Sequence, residues 1–214
     1  MKAILFDLDN TLYPAERDLF SLIDIRINHY MKEVVAIPDG EVDGLRRRYW
    51  TEYGATLQGL IRHYQVDPED YLDYVHDVDV TTRLQPDPSL RLAISQIPAE
   101  CYVFTNGSRD HAERVIAALG LDDLFVSIFD IRIADYQPKP KIDPYRGVLQ
   151  QLNAIGDDCV MIEDSLPNLQ TAKQLGMTTV HVGSGTTGNW IDHQVPDAAC
   201  AARLLQKQTN RPKD

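Results

Sequence analysis

The sequence predicts an α/β protein: a parallel sheet with helices on both faces, broken after its first strand by an inserted helical region. Three observations predict it. From Asp87 onward, short apolar runs alternate with amphipathic helical stretches, the grammar of a parallel sheet covered on both sides. One apolar run, Ala3-Ile4-Leu5-Phe6, stands apart at the start. Residues 15–84, between the two, read as helix and carry many tyrosines and charges.

The elements follow in order. The first strand covers residues 2–7. The helical stretch after it is bracketed by Pro14 and Pro86 and holds three or so helices. Inside it, Pro38-Asp39-Gly40 reads as a turn, and Asp67-Pro68 as an N-cap with proline at the first helical position. Asp87-Pro88 opens a helix with Leu90, Ala93, Ile94 and Ile97 on one face. A strand at 101–104 precedes a helix with Ala112, Val115, Ile116 and Leu119 inward, ended by Gly120. The run 126–131 is the next strand. Asp143-Pro144 starts a helix with Tyr145, Val148, Leu149 and Leu152 on one face. A strand at 160–162, a helix ending near Gly176 and a strand at 178–182 complete the pattern. The crossovers should be right-handed.

Length and composition bound the rest. A chain of 214 residues suits one core with a sizeable insertion, or two small domains. Apolar residues make up 43%, enough for an ordinary core, with no run near the ~20 residues a membrane span needs. Met1 leads almost directly into a strand, so no secretory leader is expected. Cys101, Cys159 and Cys200 are odd in number and widely spaced, which points to reduced thiols and a cytoplasmic setting. The net charge of -11 disfavours nucleic acid and anionic membranes as partners, though not a small anion held in a local cleft.

Ligands of open parallel sheets bind beyond the carboxyl ends of the strands, so the polar residues there matter most. The first strand ends in Asp7-Leu8-Asp9-Asn10-Thr11. Two carboxylates facing a cleft are costly unless neutralised, and magnesium, which favours carboxylates and phosphate oxygens, would do it. The second strand ends in Thr105-Asn106-Gly107-Ser108, a hydroxyl and small residues before a helix, suited to phosphate. After the third comes Gln137-Pro138-Lys139-Pro140-Lys141, and after the fourth Glu163-Asp164-Ser165. Each alone has a bland reading: a solvated turn, an N-cap serine, an exposed lysine between prolines, a pair of surface acids. Acid pair, hydroxyl, lysine and acid pair in that order, each just after a strand, is far more specific.

In these motifs the chain resembles the haloacid dehalogenase-like hydrolase superfamily, through Asp7 to Thr11, Thr105, Lys139 and Glu163-Asp164. The resemblance implies a Rossmann-like core of residues 1–14 and 85–214 with a helical cap domain at 15–84. It implies Asp7 as nucleophile, forming an aspartyl-phosphate, and Asp9 as general acid and then base. Mg2+ would be held by Asp7, the backbone carbonyl of Asp9 and Asp164, with Glu163 a ligand or a neighbour of one. Thr105 and the N–H groups of Asn106 and Gly107 would hold phosphoryl oxygens. Lys139 would pair with nucleophile and phosphoryl group. Lys141 is its rival, but the family's aromatic six residues after the lysine is met by Tyr145 from Lys139.

The strings Phe6 to Pro14, Tyr53 to Leu60, Asp70 to His76 and Ile128 to Ile131 further resemble the pyrimidine 5'-nucleotidase group. That resemblance implies a small phosphorylated partner, a nucleoside 5'-monophosphate, on a monomer or homodimer. Tyr49, Trp50, Tyr53, Tyr64, Tyr71 and Tyr74 could stack on a base or fill the insertion's own core. Arg46-Arg47-Arg48 reads as a solvated helix face, or as a substrate contact through one arginine, and His111 as structural. A dehalogenase would lack Asp9's role and the metal. A sugar-phosphate phosphatase or phosphomutase would keep every motif, and a non-catalytic binding protein would have no use for all of them.

Overall fold

The computed structural model describes residues 1–185 and 188–209. Its strands are β1 (Ala3–Phe6), β2 (Glu100–Phe104), β3 (Ser127–Phe129), β4 (Cys159–Glu163), β5 (Thr178–Val182) and β6 (His193–Val195). All pair in parallel, in the order β3-β2-β1-β4-β5-β6. Every residue of β1 and β4 is buried, as central parallel strands require.

Side chains alternate between two apolar layers, the period-two rule of strands. Ile4, Phe6, Val103, Val160 and Ile162 face one layer, shared with α5 (Pro88–Ser95), α6 (Arg109–Ala118) and α9 (Ala198–Thr209). Ala3, Leu5, Tyr102, Phe104 and Met161 face the other, shared with α7 (Ile142–Gln151) and α8 (Leu166–Gln174). The chain reverses direction across the sheet at β1, which lies between β2 and β4. Phe6 is in register with Val103 and Ile162, so the carboxyl ends of the three strands form one row. Such a switch point is where open α/β sheets bind ligands.

Between β1 and α5 run α1 (Leu19–His29), α2 (Asp39–Tyr53), α3 (Thr56–Tyr64) and α4 (Pro68–His76), α1 being prolonged by a π-helical turn, Tyr30–Val34. They enclose a third apolar cluster, with Ile23, Tyr30, Met31, Tyr49, Leu60, Tyr71 and Val75, to which Ile131 is added from beyond β3. Leu19, Val80 and Leu84 pack with the sheet instead. Asp67 and Asp87 cap α4 and α5 by accepting from the backbone N–H groups two and three residues on. At Pro38-Asp39-Gly40 a helix begins where a turn is expected: Pro38 takes the N-cap position and Asp39 sits in the first turn of α2, where its charge complements the helix dipole. Similarly α7 begins at Ile142, placing Asp143 in its first turn. Gly59 lets α3 lie against α2, because a Cβ there would sit 2.0 Å from the Tyr49 ring.

Hydrogen bonds fasten this insertion to the sheet side. Glu69 accepts from both Arg132 and the Tyr136 hydroxyl. The Gln58 side chain donates to the Tyr136 carbonyl, and Arg114 to the His76 carbonyl, at 2.8 and 2.7 Å.

Candidate active site

The carboxyl end of β1 carries the first acid pair. Asp7 continues the ladder by one residue, its N–H donating to the Ile162 carbonyl at 2.9 Å. Asn10 then takes a left-handed conformation, φ 61°, which asparagine tolerates better than most residues. The turn brings Tyr13 back over Asp9, and its hydroxyl donates to Asp9 Oδ1 at 2.6 Å. His111 Nε2, from the first turn of α6, lies 2.9 Å from the same oxygen. Burial works against the charged form of Asp9, but His111 and the Tyr13 hydroxyl outweigh it and hold the carboxyl below its usual range.

At the end of β2 the Thr105 N–H donates to the Phe129 carbonyl, and Thr105 Oγ1 accepts from the Gly107 N–H at 2.9 Å. Ser108 caps α6 by accepting from the His111 N–H, and its hydroxyl is 3.1 Å from His76 Nδ1. The Asn106 side chain grips the backbone of Lys139 twice, accepting from its N–H at 2.8 Å and donating to its carbonyl at 3.1 Å. That grip aims the Lys139 ammonium inward, onto Asp7 Oδ1 (2.7 Å), Glu163 Oε2 (2.8 Å) and the Phe104 carbonyl (2.7 Å). Burial disfavours the ammonium, but the charges of Asp7 and Glu163 outweigh it and raise the pKa of Lys139. Lys141 is the N-cap residue of α7 and lines a separate shallow recess with Tyr53 and Arg62.

Glu163 closes β4 and Asp164 follows it. Thr11 fixes Asp164 on two sides, accepting from its N–H at 3.1 Å and donating to Oδ1 at 3.3 Å. Asp7, Glu163 and Asp164 each offer an oxygen, all within 4.8 Å of one another. Burial, then the charge of Glu163, pushes Asp7 up to about 7 against the pull of Lys139. Burial likewise raises Glu163 and Asp164. Three carboxylates therefore share one ammonium, a hard-oxygen, charge-deficient cluster that a divalent cation such as magnesium fits. Asp9 is outside this cluster, its carboxylate being engaged by Tyr13 and His111.

A cavity of about 380 Å³ opens above these residues. Asp7, Asp9, Thr105, Asn106, Gly107, Glu163 and Asp164 form its floor. The helical insertion supplies the opposite wall, mainly apolar, with Phe20, Trp50, Tyr71, Leu72 and His76, and one cation, Arg46. Of the six aromatic residues singled out in the insertion, Trp50 and Tyr71 line it; Tyr71 is buried and Trp50 is 67% exposed. Arg46 is bound by Asp24 and Asn28, and its buried Nε has no partner among the described residues. Arg47 and Arg48 are exposed.

The sequence alone does not single out Tyr13, His76 or His111 for the site. His111 does lie on the buried face of α6, as expected of a structural residue, but its ring also reaches Asp9. A tyrosine four residues after Asp9 was the one available signal.

A family model of haloacid dehalogenase-like hydrolases matches residues 1–176. The chain belongs to the haloacid dehalogenase-like hydrolases. Among curated relatives of this hydrolase, phosphate metabolism protein 8 of Saccharomyces cerevisiae is 29% identical over 194 residues, 82% of this chain and 60% of that protein. A phosphoglycolate phosphatase of Colwellia psychrerythraea is 31% identical over 84 residues, 39% of this chain and 36% of that protein. The chain thus spans less than two thirds of the length of these relatives. Among solved structures, CbbY from Rhodobacter sphaeroides in complex with phosphate superposes with a TM-score of 0.67 at 22% identity, covering 96% of this chain and all of that one. The L-2-haloacid dehalogenase of Xanthobacter autotrophicus, at 0.62 and 18%, covers 96% of this chain and 98% of its own. These likenesses show the same fold, a Rossmann-like parallel α/β sheet. No described helix is long and apolar enough to cross a membrane.

Proposed function

We propose that this hydrolase is a phosphomonoesterase working through an aspartyl-phosphate on Asp7, with nucleoside 5'-monophosphates, pyrimidine ones preferred, as substrates. The observation that carries the reading is the pairing of Asp7, on the cavity floor, with Lys139 buried behind it at 2.7 Å, and a second acid, Asp9, on the same floor. An Asp7 oxygen attacks phosphorus while the bond to the leaving oxygen breaks, and Asp9 gives that oxygen a proton. Water, deprotonated by Asp9, then attacks phosphorus and releases phosphate, restoring Asp7. The lowered pKa keeps Asp9 ionised and able to take a proton from water, and the negative charge of a bound phosphoryl group would raise it for the acid role. Thr105 and the backbone around Asn106 and Gly107 orient the phosphoryl oxygens, and Lys139 balances their charge.

Asp7, Glu163 and Asp164 would hold magnesium, with the Asp9 carbonyl as the expected fourth group. Bound there, the ion would neutralise charge gathered between the carboxylates and the phosphoryl group. A dehalogenase would need neither this acidic cluster nor Asp9. Residues 15–84 act as a cap over a core of 1–14 and 85–214, a division supported by their separate apolar cluster. Selectivity would come from the wall holding Trp50 and Arg46, one offering an exposed ring for stacking and the other a positive charge. Three free cysteines suit a reducing, cytoplasmic setting.

The test is kcat/KM with magnesium for uridine, cytidine, adenosine and guanosine monophosphates against small sugar phosphates. The pyrimidine nucleotides should lead. Sugar phosphates ahead by about tenfold, ~1.4 kcal/mol of transition-state discrimination, would defeat the nucleotide reading and leave the phosphatase.

A further inference from the structure

The fixation of Asp9 goes beyond what the proposed chemistry needs from a lone carboxylate. Asp side chains turn easily about χ2, which is broad and two-fold, so an unrestrained carboxylate exchanges its two oxygens. Here both partners engage one oxygen: the Tyr13 hydroxyl and His111 Nε2 lie 2.6 and 2.9 Å from Oδ1. An ionised carboxylate only accepts, so Nε2 carries the proton in this contact.

Both donors are immobilised. Tyr13 and His111 are 1% and 0% exposed. The His111 ring is stacked on His76 at 4.7 Å between centroids and 16° between planes, and its backbone is held by the Ser108 cap. His111 Nδ1 is buried with no hydrogen-bond partner among the described residues. An apolar ring would fill the same space without leaving a polar atom unmatched, which carries a desolvation cost. What the imidazole adds is the N–H on Asp9.

We infer that His111 and Tyr13 are positioning residues for Asp9: together they occupy Oδ1 and reserve Oδ2 as the oxygen that passes the proton to the leaving group and takes it from water. This inference rests on the phosphatase reading above. Neither side chain lines the cavity. Their contribution is to the geometry of proton transfer, so it should vary with how much the leaving group needs a proton. An alkoxide needs one; a nitrophenolate does not.

The experiment compares kcat/KM for glycerol phosphate and for p-nitrophenyl phosphate in the full chain, its His111→Met and His111→Gln variants, and Tyr13→Phe. His111→Met should lose about tenfold or more on glycerol phosphate, within the range general acid catalysis supplies, and less than about threefold on the nitrophenyl ester. His111→Gln, which keeps an N–H at similar reach, should recover most of the difference. Tyr13→Phe should show the same selective loss in smaller measure and carries the test if His111→Met does not fold. Equal losses on both esters, or no loss on either, in variants melting within a few degrees of the parent would overturn the inference. A parent protein that cleaves neither these esters nor a nucleoside 5'-monophosphate would instead remove the phosphatase reading, and the inference with it. For a parent that cleaves only nucleotides, uridine monophosphate serves as the alkyl ester and the pH dependence of its kcat/KM replaces the nitrophenyl comparison: a profile moved by His111→Met supports the inference, and an unmoved one overturns it.

Discussion

The floor and the wall of the cavity are built by different rules. The floor is a row of strand ends. Parallel pairing fixes the heights of β1, β2 and β4 relative to one another, so Asp7, Thr105 and Glu163 come together once the sheet forms. The wall is a set of helix faces whose rotation is decided by packing. Tyr49 and Trp50 are neighbours in sequence, yet Tyr49 is 1% exposed in the insertion's core and Trp50 is 67% exposed at the cavity. Chemistry set on the floor tolerates almost no displacement, whereas recognition on the wall is spread over several side chains.

The largest effect that sharpens this contrast is on the floor. Lys139→Ala leaves Asp7 and Glu163 without their shared counter-charge, and turnover with magnesium should fall by about 10²-fold or more. Lys141→Ala, outside the cavity, should stay within about threefold. Phosphate release by the two variants checks this, and a crippled Lys141→Ala would mean that the floor is not the row described.

On the wall the expected change is smaller. Trp50→Ala should lower kcat/KM for pyrimidine nucleotides by about tenfold, since stacking contributes about 1–3 kcal/mol, while glycerol phosphate should barely respond. Equal losses on both substrates would break the division between wall and floor.

Smaller still is the effect on stability. Asp7 titrates near 7 when folded against an ordinary 3.8, so the fold holds this proton more tightly than the unfolded chain does. The stabilisation from this group is therefore full at low pH and is lost as pH rises from about 4 to about 7. A bound cation replaces the proton, so magnesium should raise the melting temperature by a few degrees more at about pH 8 than at about pH 5. Thermal melts with magnesium and with chelator test this; an identical shift at both pH values would contradict it.

The same contrast explains what could be read from sequence. Each acid, hydroxyl and lysine of the floor directly follows an apolar run or its loop, so inspecting strand ends finds them all. The partners of Asp9 escape that search. His111 sits on the buried face of α6 and reads as core, and Tyr13 reaches Asp9 only across the left-handed turn at Asn10. Four helices replace the three or so expected because Gly54, at φ 87°, ends α2 and a new helix starts at Thr56. β6, three residues at the sheet edge, and the alanine-rich α9 carry too little periodicity to stand out beyond β5.

The central claim is the covalent intermediate on Asp7. Asp9→Asn should still allow attack on an activated ester but should slow release, because the base for water is gone. Incubating Asp9→Asn with p-nitrophenyl phosphate and magnesium, quenching in acid and weighing the intact protein should show one added phosphoryl group. Peptide mapping should place it on Asp7, and Asp7→Asn should carry none. Nitrophenol released without any phosphorylated protein, or a phosphoryl group on another residue, would contradict the account.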